Sequence, residues 1–417
     1  MEQGTTAVVN CGELVTLRGP RRARHGAELR ELGIERDRAI FVRDGRIARV
    51  GSYAEIRKLM TADTTVIDAA GRLVTPGFVD AHTHLVFAGT RENEFEQRIA
   101  GKTYGEIAAA GGGILSTVAK TRAASDTALL ATTREHLAWC VRGGTTTLEA
   151  KSGYGLTLDD ELRILEILST LADQGPVRIV PTLLAAHTVP PEFKDDRAGY
   201  VRLIVEEILP RVKERGLARY CDAFCDDHAF TVDETRVILR AAQQHGLGLR
   251  LHADQFRAGA GVQVAAELGA ATADHLECMD ADGIAMLKRA EVQPVLLPAS
   301  VFALSRMQYP DARGIIEAGL PVVLATDFNP GSSPTSSMPL VMSLACLEMR
   351  MLPSESLTAS TINAAYSLGL GDRVGSLEEG KDADFLLHAF RDYREIAYFV
   401  GVPQALRVFI RGIEAIV

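Results

Sequence analysis

The fold of this chain is decided by the stretch PGFVDAHTH, residues 76–84. It includes the end of a short apolar run, residues 73–79, which indicates one buried strand. Side chains two positions apart on an extended strand point to the same side. His82 and His84 are therefore predicted to converge on one metal ion from the end of this strand.

Strand-like apolar runs continue along the chain and alternate with segments of helical periodicity, such as residues 159–172. This alternation is typical of βα units that build a parallel sheet. Eight units fit a TIM-like (β/α)8 barrel. After the first strand, the predicted barrel strands cover residues 145–150, 177–186, 218–225, 247–251, 271–274, 292–297 and 322–326.

Both ends of the chain have a different pattern, with short strands and turns. Residues 44–45 are an Asp-Gly pair between two strand-like runs, which predicts a hairpin. Chain termini often lie close together, so we expect both ends to form one small β-sandwich domain. The predicted division is residues 1–74 with 376–417 for this domain, and residues 75–375 for the barrel.

Composition excludes several classes of protein. The 417 residues are 47% hydrophobic and 24% charged, which is the balance of an ordinary enzyme. A net charge of −9 argues against nucleic acid or an anionic membrane as partner. The 6 cysteines are scattered and predict no disulfide framework. Without a signal-peptide pattern or a long apolar run, the expected location is the cytoplasm.

Several strand-like runs end in a side chain that can bind a metal ion. Active sites of (β/α)8 barrels lie at the C-terminal ends of the strands, so these side chains are expected to meet. Three imidazoles with one carboxylate suit Zn²⁺ or iron. The residues at strand ends are His82, His84, His187, His252, His275 and Asp327, and the proposed ligands are His82, His84, His252 and Asp327.

This set predicts hydrolytic attack on a C=O or C=N carbon. A bound metal lowers the pKa of a water molecule to roughly 7. Asp327 is expected to take the water's proton and to pass it to the leaving nitrogen. His275 is expected to polarise the carbonyl or to help move protons.

Two alternatives stay open at this stage. A binuclear site would need a bridging group at the fourth strand, where Asp226 is the only candidate because Lys151 falls on the second strand. The second alternative is a barrel without catalysis that acts as a binding module. A complete ligand set argues strongly against it.

The connection between the first two barrel strands, residues 86–143, is unusually long. Long loops on this face commonly bind substrate. The loop carries Arg91, for which the sequence offers no evident partner, and Tyr104. Its three glycines, residues 111–113, predict either a backbone anion cradle or a flexible loop before a helix.

Five motifs carry a family resemblance: AHTHLVF (81–87), GGGI (111–114), KSGYGL (151–156), HADQ (252–255) and ATDFNPG (325–331). Together they resemble the amidohydrolase superfamily. The match is close to the branch that hydrolyses 4-imidazolone-5-propanoate to N-formimino-L-glutamate in histidine degradation. A related cyclic amidohydrolase or a heterocycle deaminase of the same superfamily is the alternative.

The resemblance implies one Zn²⁺ or Fe²⁺/Fe³⁺ per subunit and a small-molecule substrate; we also expect a homodimer without nucleic acid or membrane partners. Arg91 would bind the propionate as a planar fork. Gln255 stands where some relatives carry a Glu, and it keeps hydrogen bonding without basicity. The catalytic set is Asp327, His275 and Gln255, and the substrate set is Arg91, Tyr104, Tyr154, His187, Gln255, Asn329, Gly331 and Ser332.

Overall fold

Two eight-stranded sheets form the molecule. The computed structural model describes residues 4–103, 106–107, 111–226, 229–258, 261–403 and 405–415. The strands are β1 (Thr5–Val15), β2 (Ile34–Arg43), β3 (Arg46–Ser52), β4 (Thr65–Asp68), β5 (Leu73–Pro76), β6 (Phe78–Asp80), β7 (Thr145–Lys151), β8 (Arg178–Ala186), β9 (Tyr220–Cys225), β10 (Gly248–Ala253), β11 (Thr272–His275), β12 (Gln293–Leu296), β13 (Val323–Leu324), β14 (Phe385–His388), β15 (Ala405–Ile410) and β16 (Ile413–Glu414).

Strands β6 to β13 follow one another in chain order and pair in parallel. The ring closes between its first and last members, where Thr83 forms a parallel bridge with Phe328. The predicted (β/α)8 barrel is therefore confirmed. Its eighth strand is shorter than predicted, Val323–Leu324 rather than residues 322–326.

Helices cover the outside of the barrel and fill several connections. A π-helical turn, Ile204–Ile208, joins two of them, and short 3₁₀ turns occur at Gly26–Arg30 and Pro191–Phe193. The α-helices are α1 (Tyr53–Arg57), α2 (Glu92–Ile99), α3 (Ile114–Ala123), α4 (Asp126–Arg142), α5 (Leu158–Gln174), α6 (Arg197–Leu203), α7 (Leu209–Glu214), α8 (Val232–Gln244), α9 (Gly261–Leu268), α10 (Ala281–Ala290), α11 (Pro298–Ala303), α12 (Ala312–Glu317), α13 (Met338–Met349), α14 (Pro353–Ala359), α15 (Ile362–Ser367) and α16 (Arg394–Tyr398).

The prediction of one strand over residues 73–79 is wrong. The chain changes sheets at Gly77, so β5 belongs to the terminal sheet and β6 to the barrel. Gly77 N donates to Asp384 O, and a Cβ at Gly77 would lie 2.2 Å from the hydroxyl oxygen of Thr146. Only glycine allows this close approach. His82 and His84 consequently lie just past the end of β6 rather than on it.

The terminal sheet joins the two ends of the chain. Its order is β16-β15-β14-β5-β1-β2-β3, with β4 on the other part of β1. The predicted hairpin at residues 44–45 is present, since Asp44 and Gly45 have φ of 50° and 72° between antiparallel β2 and β3. The two ends thus share one β unit, while the exact domain division at residues 74–75 and 375–376 stays a prediction.

Among the residues that the structure describes, no helix combines the length and apolar character that crossing a membrane requires.

One buried histidine, His388, lies in the terminal sheet and is fully shielded from solvent. Its Nε2 is 2.8 Å from the hydroxyl of Thr75. Burial lowers the pKa of His388 from 6.5 to about 3, because the charged form would lose its hydration. The folded protein therefore holds this ring neutral at pH values where the unfolded chain protonates it.

Acidification is expected to destabilise the protein through His388. Between pH 7 and pH 5 only the unfolded chain takes up the proton, so the free energy of unfolding falls by about 2 kcal/mol from this group. Urea unfolding of the wild type and of His388→Gln at both pH values measures the difference. Between pH 7 and pH 5, the free energy of unfolding of the variant should fall by about 2 kcal/mol less than that of the wild type. An equal loss in both proteins would contradict the prediction, because all other titrations are common to them.

Candidate active site

The proposed ligands meet at the C-terminal end of the barrel. His82 and His84 follow β6, His252 lies on β10, and Asp327 follows β13. Ligand atoms of His82, His84 and His252 lie within 4.8 Å of one another, and so do those of His82, His275 and Asp327. Oδ1 of Asp327 is 3.6 Å from Nε2 of His82 and 3.4 Å from Nε2 of His84. All are buried, and together they could hold a metal ion.

Two of the imidazoles are oriented by carboxylates from below. Nδ1 of His82 is 2.6 Å from Oδ2 of Asp274, and Nδ1 of His252 is 3.1 Å from Oδ1 of Asp222. An ionised carboxylate only accepts, so both protons sit on Nδ1. The Nε2 atoms of both rings are buried without a hydrogen-bond partner. Bare nitrogens buried beside a carboxylate fit a metal ion of the Zn²⁺ or iron type.

The protonation states also suit metal binding. Burial lowers the pKa of His82 well below its usual value and lowers that of His84. Burial opposes ionisation of Asp327, but hydrogen bonding to His84 and the charge of His275 bring its pKa below the usual value. Neutral imidazoles and an ionised carboxylate are the forms that coordinate metals.

Beneath these ligands lies a network of fully buried charges. Lys151 Nζ is 2.8 Å from Oε1 of Glu149 and 2.7 Å from Oδ2 of Asp222. Arg250 Nη2 lies 3.6 Å from Asp274. These ion pairs outweigh burial and raise the pKa of Lys151. Sequence reasoning missed the network, although charged residues inside apolar strands were its visible signal.

His275 is held by a carboxylate that the sequence analysis overlooked. Its Nδ1 is 3.2 Å from Oε1 of the buried Glu277. Burial disfavours the charged ring, but Glu277 raises the pKa of His275 above its usual value. His275 and Asp327 both have positive φ, 81° and 54°. Such backbone strain in non-glycine residues is concentrated at functional sites.

One pocket joins three of the four proposed ligands to most of the predicted substrate residues, and His82 lies outside its lining. Phe224, Phe256 and Leu304 add apolar walls that the sequence analysis did not identify. Tyr104 lies outside the described residues, and Gly331 does not line the pocket itself. The predicted residues that do line it are His84, Arg91, Tyr154, His187, His252, Gln255, His275, Asp327, Asn329 and Ser332.

The expectation that Arg91 has no partner within the chain is wrong. Its Nε and Nη2 donate to one carboxylate oxygen of Glu94, at 2.9 and 2.6 Å. Gly113 N also donates to Glu94, whereas Gly112 N donates to Ile107 O. A Cβ on Gly331 would lie 1.9 Å from Nη1 of Arg91. Glycine at that position leaves room for the guanidinium.

The loop after β13 is braced by its own side chains. Asn329 Nδ2 donates to Asp327 O at 2.6 Å and to Ser332 Oγ at 2.8 Å. Its Oδ1 accepts from the backbone N–H groups of Gly331 and Ser332. Asn329 therefore shapes the backbone around Asp327, and its contact with a substrate stays a prediction.

Asp226, the candidate bridge of a binuclear site, does not line the pocket with His252. It lines a separate cavity and accepts from Phe256 N at 3.1 Å. Lys151 ends the second barrel strand, as predicted, and its ammonium is engaged in the buried ion pairs.

Comparison with known proteins agrees with this geometry. The model of the amidohydrolase family matches residues 73–413. The imidazolonepropionase of Solibacter usitatus is 56% identical over 407 residues, covering 98% of this chain and 97% of that protein. The imidazolonepropionase of Geobacillus thermodenitrificans is 46% identical over 404 residues, covering 96% of this chain and 95% of that protein.

Solved structures give the same fold at lower identity. Guanine deaminase of E. coli superposes with a TM-score of 0.75 at 15% identity, covering 99% of both chains. The 5-methylcytosine deaminase of Klebsiella pneumoniae superposes with a TM-score of 0.74 at 19% identity, covering 98% of this chain and 97% of that one. The chain therefore belongs to the amidohydrolase family and, within it, to the imidazolonepropionase family.

Proposed function

We propose that the chain hydrolyses the ring C–N bond of 4-imidazolone-5-propanoate and releases N-formimino-L-glutamate, a step of histidine degradation. It is a hydrolase of carbon–nitrogen bonds in cyclic amides, like the relatives named imidazolonepropionase. One observation carries the choice of substrate: a single pocket contains both the His-Asp cluster and the Arg91 guanidinium. A ring with a carboxylate side arm needs both features.

The proposed ligands His82, His84, His252 and Asp327 would hold one Zn²⁺ or iron ion per subunit. When bound, such an ion acts as a Lewis acid and lowers the pKa of a water molecule to roughly 7. The carboxylates of Asp222 and Asp274 hold the Nδ1 side of His82 and His252, which would leave the Nε2 atoms available to such an ion.

Asp327 is the proposed proton carrier. It is buried and ionised, so it can accept the proton of the attacking water and deliver it to the departing ring nitrogen. His275 lies beside it in the same pocket, with Nδ1 held by Glu277. Its other nitrogen can then donate to the substrate carbonyl oxygen as negative charge develops there.

Gln255 is proposed to orient water or substrate without acting as a base. Its side chain is 5% exposed and lines the pocket. An amide can donate and accept hydrogen bonds but has no useful basicity at neutral pH. Proton transfer is therefore assigned to Asp327 and His275.

Arg91 is proposed to bind the propionate. Glu94 fixes one edge of the guanidinium, and this fixes the plane in which the remaining N–H groups point. Tyr154, His187 and Ser332 line the same pocket and complete the proposed substrate contacts. Location in the cytoplasm, a homodimer, and the absence of nucleic-acid partners stay predictions.

The function is tested directly with purified protein. Ultraviolet absorbance follows the loss of imidazolone propanoate, and metal analysis of the same sample gives the ion and its stoichiometry. A protein with one Zn or Fe per chain that consumes this substrate supports the proposal. A protein that deaminates an uncharged heterocycle instead, or that needs two ions per chain, would overturn it.

Removing His82 should remove the ion. His82→Ala deletes a nitrogen ligand at the rim of the barrel, where its loss leaves the strands paired. Metal content should fall below about a tenth of the wild-type value, in line with losing one of four ligands. Circular dichroism should report an intact fold. His388→Gln, which changes a buried histidine of the terminal sheet, should retain the metal. Retention of metal by His82→Ala would contradict the ligand assignment.

Replacing Arg91 should weaken substrate binding through the carboxylate. Arg91→Lys keeps a positive charge for Glu94 but removes the planar fork. KM for imidazolone propanoate should rise by about 10- to 100-fold, as expected for a lost charge-assisted pair of 1.5–3 kcal/mol. An imidazolone without the carboxylate should be a poor substrate of both proteins, with nearly equal KM values. If the substitution raises KM equally for both compounds, Arg91 acts on the structure rather than on the carboxylate.

Asp327→Asn separates metal binding from proton transfer. Asparagine keeps an oxygen ligand but cannot accept a proton, so kcat should fall by about 10²-fold or more. Metal content should stay above half of the wild-type value, roughly the effect of exchanging one oxygen ligand for another. A variant with full metal content and near-normal kcat would show that the base is another residue.

A further inference from the structure

A fully buried carboxylate, Glu161 in the first turn of α5, lies under the loop that carries Tyr154. One of its oxygens, Oε1, accepts from Gly155 N at 2.9 Å and from Leu156 N at 2.8 Å. Gly153 N donates to both oxygens at 3.1 Å. Three backbone donors of one loop thus converge on one side chain.

The loop needs such an anchor because its backbone is not in a relaxed conformation. Gly153 and Leu156 have positive φ, 103° and 58°. The Ser152 hydroxyl of the same loop accepts from Leu184 N of β8 at 2.9 Å. Burial raises the pKa of Glu161 above its usual value, although the backbone donors partly offset this shift. A buried carboxylate is tolerated where donors surround it, and in return it fixes their positions.

The same loop controls His187. Nδ1 of His187 is 3.0 Å from Gly153 O, and a carbonyl oxygen can only accept, so the proton sits on Nδ1. A neutral imidazole that carries its proton on Nδ1 has a lone pair on Nε2. The ring stacks on His84 with centroids 5.1 Å apart and lines the pocket.

We propose that Glu161 is a positioning residue, which holds residues 152–156 so that Gly153 O fixes the His187 tautomer. The site accordingly selects a substrate ring with an N–H donor facing His187 Nε2. This inference rests on the proposed function, since an imidazolone ring carries such an N–H. Glu161 itself lies behind the loop and acts through Gly153 and Tyr154.

The first test is Glu161→Gln, which keeps the shape but replaces one acceptor oxygen with an N–H₂ group that opposes the loop donors. KM for imidazolone propanoate should rise at least about tenfold, the equivalent of one lost hydrogen bond, while metal content is unchanged and kcat falls much less. Glu161→Asp retains the charge and should recover part of the loss. Glu161→Asp also provides the comparison with the wild type if Glu161→Gln does not fold.

The matched control is Glu355→Gln. Glu355 is also fully buried in the first turn of a helix, α14, and accepts from Leu352 N at 2.8 Å. It lies outside the pocket. Its variant should lower the melting temperature while leaving KM at the wild-type value. A rise in KM of the same size in Glu355→Gln would reduce the role of Glu161 to general stability and overturn the inference.

A second readout needs no turnover. Nitrogen NMR of histidine-labelled protein, with His187→Gln to assign the signal, distinguishes the two imidazole tautomers. The wild type should show His187 protonated on Nδ1, and Glu161→Gln should show a mixture. An unchanged tautomer together with an unchanged KM would overturn the inference. A wild type that shows the tautomer but does not hydrolyse imidazolone propanoate would overturn only the proposed function.

Discussion

Two backbone hydrogen bonds that close the barrel are the constraint on which the site depends. Asp327 N donates to His82 O at 3.0 Å, and His84 N donates to Phe328 O at 2.9 Å. They join the segments that follow the first and the last barrel strands. Because the bonds are made by the ligand residues and their neighbour, barrel closure and assembly of the ligand cluster are the same event. A barrel closed in another register would separate Asp327 from both histidines.

The site also carries an energetic cost that the surrounding strands offset. Imidazole nitrogens without hydrogen bonds and several charged groups are buried together at the barrel end. Buried ion pairs seldom add stability compared with apolar packing. Lys151 and Arg250 are better explained as counter-charges that favour the ionised forms of Asp222 and Asp274 beneath the imidazoles. The network contributes orientation of the ligands rather than net stability.

Much of this arrangement could be predicted from the sequence because it depends on period and order. Apolar runs at regular spacing predicted the barrel, and side chains at their ends predicted the cluster around His252. The break at Gly77 could not be predicted, since it depends on contact with a strand from the other end of the chain. Pairing of Arg91 with Glu94 was also missed, because loop geometry decides which side chains meet.

The carboxylates behind the site were missed for a different reason. Asp274 is a charge inside an apolar strand, a signal that was not followed, whereas nothing in the local sequence of Glu277 distinguishes it from a surface acid. Their burial follows only from the three-dimensional packing of the barrel. Sequence patterns therefore located the groups that line the pocket better than the groups that support them.

The terminal sheet has a consequence for how the chain is made. Pro76, at the end of β5, pairs with Phe385 of β14, and β15 in turn pairs with β14. A ribosome that has synthesised the barrel up to β13 has not yet delivered these partners. During that interval β5 has an open edge next to the first barrel strand. This edge is covered only after β14 has left the ribosome, so translation order makes the paired strands β14 and β15 a late addition to the terminal sheet.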